Sequence, residues 1–139
     1  MDIELDAWLD NRYLATLAFF AVVVLVLVLF LTIFELITRY EVWAEIKAGN
    51  VSVAMATGGK ILGICNLFRF AILKDVTMLQ TLIWAGFGFV LLLAAYFIFE
   101  FLTPYFKIDE EIKKDNRAVG LLAMMISVSI SYVVGACIT

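Results

Sequence analysis

Three long stretches without a charged residue constrain what this chain can fold into. They cover 13–34, 76–99 and 118–139 and contain 22, 24 and 22 residues. An α-helix rises about 1.5 Å per residue, so about 20 apolar residues cross the roughly 30 Å hydrocarbon core of a bilayer. Each stretch is therefore long enough to span a membrane. A soluble chain of 139 residues has too little interior to bury three such helices on all sides.

A fourth span is less obvious because it carries charge. Residues 51–73 are apolar overall but include Lys60, Asn66 and Arg69. A lysine or arginine at the centre of a membrane helix costs about 2.5–3.5 kcal/mol, which the surrounding apolar side chains offset. The sequence thus predicts an all-α membrane protein with four transmembrane helices. We place them at 13–38, 51–73, 77–102 and 117–138.

The remaining composition agrees with this class. The chain is 65% hydrophobic, compared with about 45–50% in soluble domains. Its acidic N-terminus lacks the positive charge of a signal peptide, so we expect the first span to be a permanent anchor. The chain has no histidine, and its two cysteines lie in apolar segments. No nucleophile–base pair, metal-ligand set or phosphate loop is evident. We expect no catalytic residue, metal, cofactor or nucleic-acid partner.

The distribution of lysine and arginine predicts the orientation. Links 39–50 and 103–117 carry six basic residues, namely Arg39, Lys47, Lys107, Lys113, Lys114 and Arg117. The opposite side has Arg12 and Lys74, with Arg69 just inside the second span. Because short cytoplasmic loops are enriched in Lys and Arg, both links are predicted to lie in the cytoplasm and both termini outside.

The chain also contains an internal repeat. The segments "FELITRYEVWAEIKAGNVSVAM" and "FEFLTPYFKIDEEIKKDNRAVGL" align with one inserted residue. The alignment pairs Phe34 with Phe99, Glu35 with Glu100, and Asn50 with Asn116. Each half is then two helices joined by a link, and both halves enter the membrane with the same polarity, as two parallel two-helix repeats. We predict an acidic interfacial segment over 1–12, a first repeat over 13–75 and a second over 76–139.

The repeated motif carries a family resemblance. Two-helix units that end a first helix in Phe-Glu-x-Leu/Ile-Thr and continue through Glu-Ile-Lys to Asn resemble the YjfL family of bacterial inner-membrane proteins. The resemblance extends from about residue 12 onward. It departs from the pattern at Lys114-Asp115-Asn116, where the first copy has Ala48-Gly49-Asn50, and at Lys60 and Arg69. It implies a paired two-helix domain in a bacterial inner membrane, an envelope-associated role near membrane-stress proteins, and no established activity.

Asn50 and Asn116 each precede an apolar run. Asn is a preferred N-cap, since its side-chain oxygen accepts from the first-turn N–H groups that are costly to leave unpaired in a membrane. We predict helix caps, with a ligand contact as the alternative. The link "RYEVWAEIK" predicts a short interfacial helix with Val42, Trp43 and Ile46 on one face and Tyr40 and Trp43 at the headgroups. The alternative is a docking surface for a cytoplasmic partner.

Four charged residues fall within or near the spans: Glu35, Glu100, Lys60 and Arg69. Lys60 follows Asn50 by ten residues, about 15 Å along a helix, and its side chain tilts back toward Glu35 and Glu100. We predict that Lys60 pairs with Glu100 or Glu35, either as a structural ion pair or as part of an ion or proton path. Arg69 is predicted to meet the outer headgroups or the acids Asp6 and Asp10.

Small residues form stripes on the second and fourth spans. They include Gly59 and Gly63 on one helix and Ser127, Ser131 and Gly135 on the other. Small residues let helix backbones approach closely in lipid. We expect these two helices at the bundle centre, although either stripe would also serve a homo-oligomer.

The sequence favours a non-enzymatic inner-membrane protein, structural or associated with envelope stress, that acts through partners or self-assembly within the lipid bilayer. The alternative is a small ion channel or transporter that uses Lys60 with Glu35 and Glu100.

Overall fold

The structure, a computed structural model, describes residues 11–38, 40–74, 77–101 and 107–138. All regular structure in these ranges is helical. The helices are α1 (Arg12–Ile37), α2 (Val42–Lys47), α3 (Val51–Leu73), α4 (Met78–Phe101), α5 (Ile108–Lys113) and α6 (Arg117–Ile138).

The four long helices are each long and apolar enough to cross a membrane. The predicted all-α class and its four spans are therefore confirmed, with every helix end within one residue of the prediction. The predicted acidic segment falls outside the described residues except at its last two positions. Asp6 and Asp10, the predicted partners of Arg69, also lie outside them.

Helices α3 and α6 form the centre of the bundle. They share the most extensive contact between any two helices of the described chain. Of the most apolar 18-residue stretch of each helix, 56% is buried in α3 and 11% in α1. The second and fourth spans thus pack against each other, while α1 keeps most of its surface outside the bundle.

Small residues allow this close approach. A Cβ atom added to Gly59 would lie 2.6 Å from the Cα of Met124, and one added to Gly120 would lie 2.7 Å from the Cα of Ser52. At Gly63 the added atom would meet the Ser127 carbonyl oxygen at 3.1 Å. Lipid supplies no hydrophobic force between helices, so such backbone proximity is a main source of their attraction.

The rest of the predicted stripe lies on the same contact. Ser131 is buried, and its hydroxyl accepts a hydrogen bond from the Asn66 side chain at 3.1 Å. Gly135 lies against the ring of Phe70. A side-chain hydrogen bond therefore joins α3 and α6 in the half of the bundle farther from the two links.

Two apolar clusters lie on either side of Lys60. The cluster nearer the links, which we call the link end, includes Val53 and Ala56 of α3 with Ile108 and Ile112 of α5. The cluster toward the opposite end contains aromatic and aliphatic side chains, namely Phe30, Phe34, Ile64, Leu67, Phe68, Ala71, Ala85, Phe89, Leu92, Val134 and Ile138. Phe30 and Phe89 stack there with ring centroids 4.1 Å apart.

The predicted short helix in the first link is present as α2, but its faces differ from the prediction. Val42 is buried and Ile46 packs beside it, whereas Trp43 is 60% exposed. Consecutive helical residues point about 100° apart, so Val42 and Trp43 do not share one face. Tyr40 is also buried against its neighbours, with 6% exposure, and its place at the level of the headgroups stays a prediction.

The order long helix, short helix, long helix occurs twice. Both short helices have six residues, and both are followed by a left-handed residue, Gly49 with φ 90 and Asp115 with φ 60. These equivalent elements agree with an internal repeat. The equal polarity of the halves, the cytoplasmic links and the outward termini remain predictions.

Replacing Gly59 by Ala should destabilise the bundle, while replacing the adjacent Gly58 by Ala should not. The new methyl group at position 59 meets the Met124 backbone, whereas nothing lies within 4 Å of a Cβ at position 58. Overpacking of this kind costs about 1–3 kcal/mol. Thermal unfolding of both variants in the same detergent measures the difference. Equal midpoints would contradict the close contact.

Candidate functional site

Lys60 lies on α3 and is 5% exposed. A buried ammonium is costly unless other groups compensate for its lost hydration. Its Nζ lies 3.5 Å from the hydroxyl of Thr38, to which it donates. It also lies 5.2 and 5.3 Å from the ring centroids of Phe34 and Tyr96. The aromatic faces thus stabilise the cation through their negative charge density.

Asp109 supplies the main negative charge at this site. It projects from α5 and is 3% exposed. Its Oδ1 accepts a hydrogen bond from the Tyr96 hydroxyl at 2.5 Å, the short distance of a charge-assisted bond. The carboxylates of Asp109 and Glu100 both lie close enough to Lys60 to act on it electrostatically. Asp109 therefore connects α5 to both α4 and α3.

Tyr40 is the fourth member of what we call the buried polar cluster: Lys60, Tyr40, Tyr96 and Asp109. Its hydroxyl is buried and has no hydrogen-bond partner among the described residues. Burial, and then the charges of Asp109 and Glu45, raise the pKa of Tyr40 above its ordinary value. The phenol therefore stays protonated and keeps a hydrogen available for donation.

A cavity of about 300 Å³ adjoins this cluster. Its polar lining includes Lys60, Glu35, Thr38 and Thr57, and its apolar lining includes Val28, Leu31, Phe34, Val42 and Trp43. An open groove of about 800 Å³ lies beside it at the link end, and Glu35 and Thr38 line both spaces. Glu41, Glu45 and Lys113 are the other charged residues that line the groove.

The predicted charged residues separate into two regions. Glu100, like Asp109, acts electrostatically on Lys60. Glu35 is exposed on α1 but lines the same cavity as Lys60. Arg69 is exposed near the far end of α3, where its guanidinium lies 5.7 Å from the Phe70 ring centroid. Arg69 is therefore not part of the Lys60 site.

Sequence reasoning missed Asp109, Tyr96 and Thr38, yet the repeat contains a signal for two of them. Lys60 corresponds to Ile126, Tyr96 to Leu31 and Asp109 to Trp43 when the halves are aligned. These are positions where one copy is polar and the other apolar. The polar members come together in space, so the breaks in the repeat mark the site.

Asn50 contacts both halves of the chain. Its Oδ1 accepts from the Val53 N–H at 3.1 Å, which caps α3. Its Nδ2 donates to the carbonyls of Ile112 and Lys113 at 3.2 and 2.9 Å, at the end of α5. The same nitrogen donates to Glu45 at 3.3 Å, and the equivalent nitrogen of Asn116 donates to Glu111 at 3.1 Å.

Asp115 makes a second contact between the halves, in the opposite direction along the chain. Its Oδ1 accepts from the backbone N–H of Ser52 at 2.9 Å, so a residue of the second half caps the first turn of α3. The position corresponds to Gly49, where a side chain would meet nothing within 4 Å. The departure from the repeat at Asp115 thus has a physical reason: its carboxylate closes the contact between the halves.

Four membrane-crossing helices with a charged cluster buried between them define a polytopic integral membrane protein. The chain belongs to the family described as Domain of Unknown Function (DUF350), whose model matches residues 8–138. The resemblance to the YjfL family that the repeated motif indicated is confirmed by two relatives.

The UPF0719 transmembrane protein YshE of Bacillus subtilis (strain 168) is 56% identical over 131 residues, which cover 94% of this chain and 97% of YshE. The UPF0719 inner membrane protein YjfL of Escherichia coli (strain K12) is 27% identical over 111 residues, or 80% of this chain and 83% of YjfL. No solved structure is significantly similar.

Replacing Asp109 by Asn should destabilise the fold by about 1–3 kcal/mol, because the buried Lys60 ammonium loses a carboxylate that acts on it electrostatically. The Asn oxygen still accepts from Tyr96, so the charge is the main change. Glu110→Gln, at the adjacent exposed acid, is the control. A double variant with Lys60→Met should recover much of the loss in unfolding measurements. Additive losses would argue against coupling.

Replacing Asp115 by Asn should lower stability in a pH-dependent way. The backbone hydrogen bond from Ser52, assisted by Arg117, holds the pKa of Asp115 below its usual 3.8. A depressed folded-state pKa contributes stability above the unfolded-state pKa, and this contribution is lost as pH falls through the folded-state value. Thermal midpoints should therefore differ at about pH 6 and converge in acid. A difference independent of pH would contradict the assignment.

Proposed function

We propose that this chain is a non-enzymatic structural component of the bacterial inner membrane, associated with the envelope-stress response. It acts through self-assembly or through a protein partner rather than by moving a solute. The observation that carries this proposal is that the buried charged residues of the described chain, Lys60 and Asp109, do not continue past Lys60 toward the end opposite the links.

Beyond Lys60, the interior toward the opposite end is mainly apolar, and the hydrogen bond between Asn66 and Ser131 is a polar contact within it. Phe30 stacks on Phe89, and Ile64 and Leu67 are fully buried. Arg69, a charged residue at that end, is exposed. A conducting path needs polar groups or water along its length. This packing supports a chain that does not conduct on its own.

Helix α1 supports the part of the proposal that concerns assembly. It has the highest hydropathy of the four spans, and its buried residues are Phe30 and Phe34. Side chains such as Leu25, which is 70% exposed, point away from the bundle. This helix offers a long surface to lipid, to a second copy or to a partner span.

A small channel or transporter is the second candidate, and the Lys60 site favours it specifically. A buried cation beside a cavity, with Asp109 and Glu100 acting on it, is the arrangement expected of a proton or ion relay. In this alternative Glu35 and Glu100 would lie near the path. The path would have to continue between subunits rather than through one bundle.

One experiment separates the two candidates. The protein is extracted from native membranes into nanodiscs and its mass is measured. The proposal predicts a homo-oligomer or a partner complex that Leu25→Trp weakens and Ile83→Trp, at a similarly exposed position on α4, does not. Proteoliposomes should show proton and cation flux no greater than empty liposomes. A monomer without partners would overturn the proposal, and flux that Lys60→Met abolishes and Arg69→Met retains would establish the alternative.

A further inference from the structure

We infer that the cavity beside Lys60 binds an uncharged, lipid-soluble compound whose carbonyl oxygen accepts hydrogen bonds from Lys60 and Thr57. A quinone and a diacylglycerol are two sources of this chemistry, and both dissolve in a bilayer. The inference is independent of whether the chain assembles or conducts. It rests on the donors at the inner wall of the cavity, on the charges around them and on the apolar mouth.

The ammonium of Lys60 lies at the inner wall of the cavity. Lys60 lines this space although it is only 5% exposed. Thr38, whose hydroxyl accepts from Nζ, and Phe34, whose ring centroid lies 5.2 Å from Nζ, line it as well. The charged end of the side chain, and not only its apolar stem, is therefore within reach of a molecule in the cavity.

Two hydrogen-bond donors at this wall have capacity for a ligand. An ammonium has three N–H groups, and Lys60 donates one hydrogen bond to the described residues, the long one to Thr38 at 3.5 Å. Thr57 is 8% exposed and lines the same cavity, and its hydroxyl has no hydrogen-bond partner within the described ranges. Residues three apart share a face of a helix, so one carbonyl oxygen, with its two lone pairs, can accept from both Lys60 and Thr57.

The charges around these donors favour an uncharged ligand. Asp109 and Glu100 already act electrostatically on Lys60, and Glu35 lines the cavity itself. An anion would add a further negative charge beside these three acids, and a cation would meet the buried ammonium. Like charges placed side by side are strongly unfavourable. A carbonyl oxygen brings a partial negative charge to Lys60 without adding net charge to the site.

The rest of the cavity suits the apolar body of such a molecule. Leu31, Phe34 and Val42 form part of its wall, and Val28 and Trp43, which are 56% and 60% exposed, line it at the surface. Val28 lies on a membrane-spanning helix, so this opening is accessible from lipid. The volume of about 300 Å³ is at the lower end of the range for ligand sites. It accommodates a ring or a glycerol ester with the start of its tail, while the remaining tail stays in lipid.

The test titrates full-length, delipidated protein in detergent with four probes of matched tail length: a quinone, a diacylglycerol, a fatty-acid anion and an alkane. Native mass spectrometry measures the bound fraction of each probe. We expect the quinone or the diacylglycerol to bind about tenfold more tightly than the alkane and the fatty-acid anion, the contribution of one hydrogen bond from a charged donor. The tighter of the two identifies the source. Equal binding of all four probes, a preference for the fatty-acid anion, or no binding of either carbonyl compound would overturn the inference.

Variants on the cavity wall assign the donors. Thr57→Val removes the hydroxyl and keeps the shape of the side chain, so the preference for the carbonyl compound over the alkane should fall about two- to tenfold. Thr32→Val is the matched control, because Thr32 lines the same cavity but its hydroxyl already donates to the Val28 carbonyl at 2.9 Å. Lys60→Met should abolish the preference. An undiminished preference in Thr57→Val, or an equal loss in Thr32→Val, would refute the proposed site even if Lys60→Met proved unstable.

Discussion

The close contact between α3 and α6 is the interaction on which the rest of the structure depends. Because lipid tails are as apolar as the helices, the attraction comes from backbones that approach at Gly59, Gly63 and Gly120. That approach brings the two link turns together, so that Asn50 reaches the end of α5 and Asp115 reaches the start of α3. It also fixes α5 over the bundle, which places Asp109 near Lys60. The buried polar cluster is thus a consequence of helix packing at the centre.

The cluster follows from the cost of a buried ammonium. A lysine at this depth needs compensation, and it receives it from elements distant in sequence: α1 provides Thr38 and Phe34, α4 provides Tyr96, and α5 provides Asp109. The first half of the chain holds the cation and the second half holds the main counter-charge. A chain of two identical halves would carry one of these two charges twice and lack the other. The departures from the repeat, rather than the repeat itself, give the protein its distinctive interior.

The spans could be predicted from the sequence because their lengths and uncharged runs follow directly from bilayer thickness. Lys60 could be identified as unusual for the same reason. Asp109 could not, since it stands beside Glu110 and Glu111 in a link that reads as solvent-exposed, and only the packing of Ile108 and Ile112 turns it inward. Residue type alone predicts Tyr40 and Trp43 at the headgroups, and it does not indicate that Tyr40 joins a buried cluster with Ile108 and Ile112 of α5. The role of Asp115 could not be predicted either, because its partner, the backbone N–H of Ser52, lies in the other half of the chain.

The mutual capping of the two links has a consequence for synthesis. The N–H of Ser52 is held by a carboxylate 63 residues further along the chain, and Asn50 donates to carbonyls at a similar separation. When α3 leaves the ribosome, these partners have not yet been made. Its own Asn50 oxygen provides the first cap on Val53, and the start of the helix is completed only after the second link emerges. The first half of the chain therefore leaves the ribosome before all of its hydrogen-bond partners exist, and the second half supplies the missing ones.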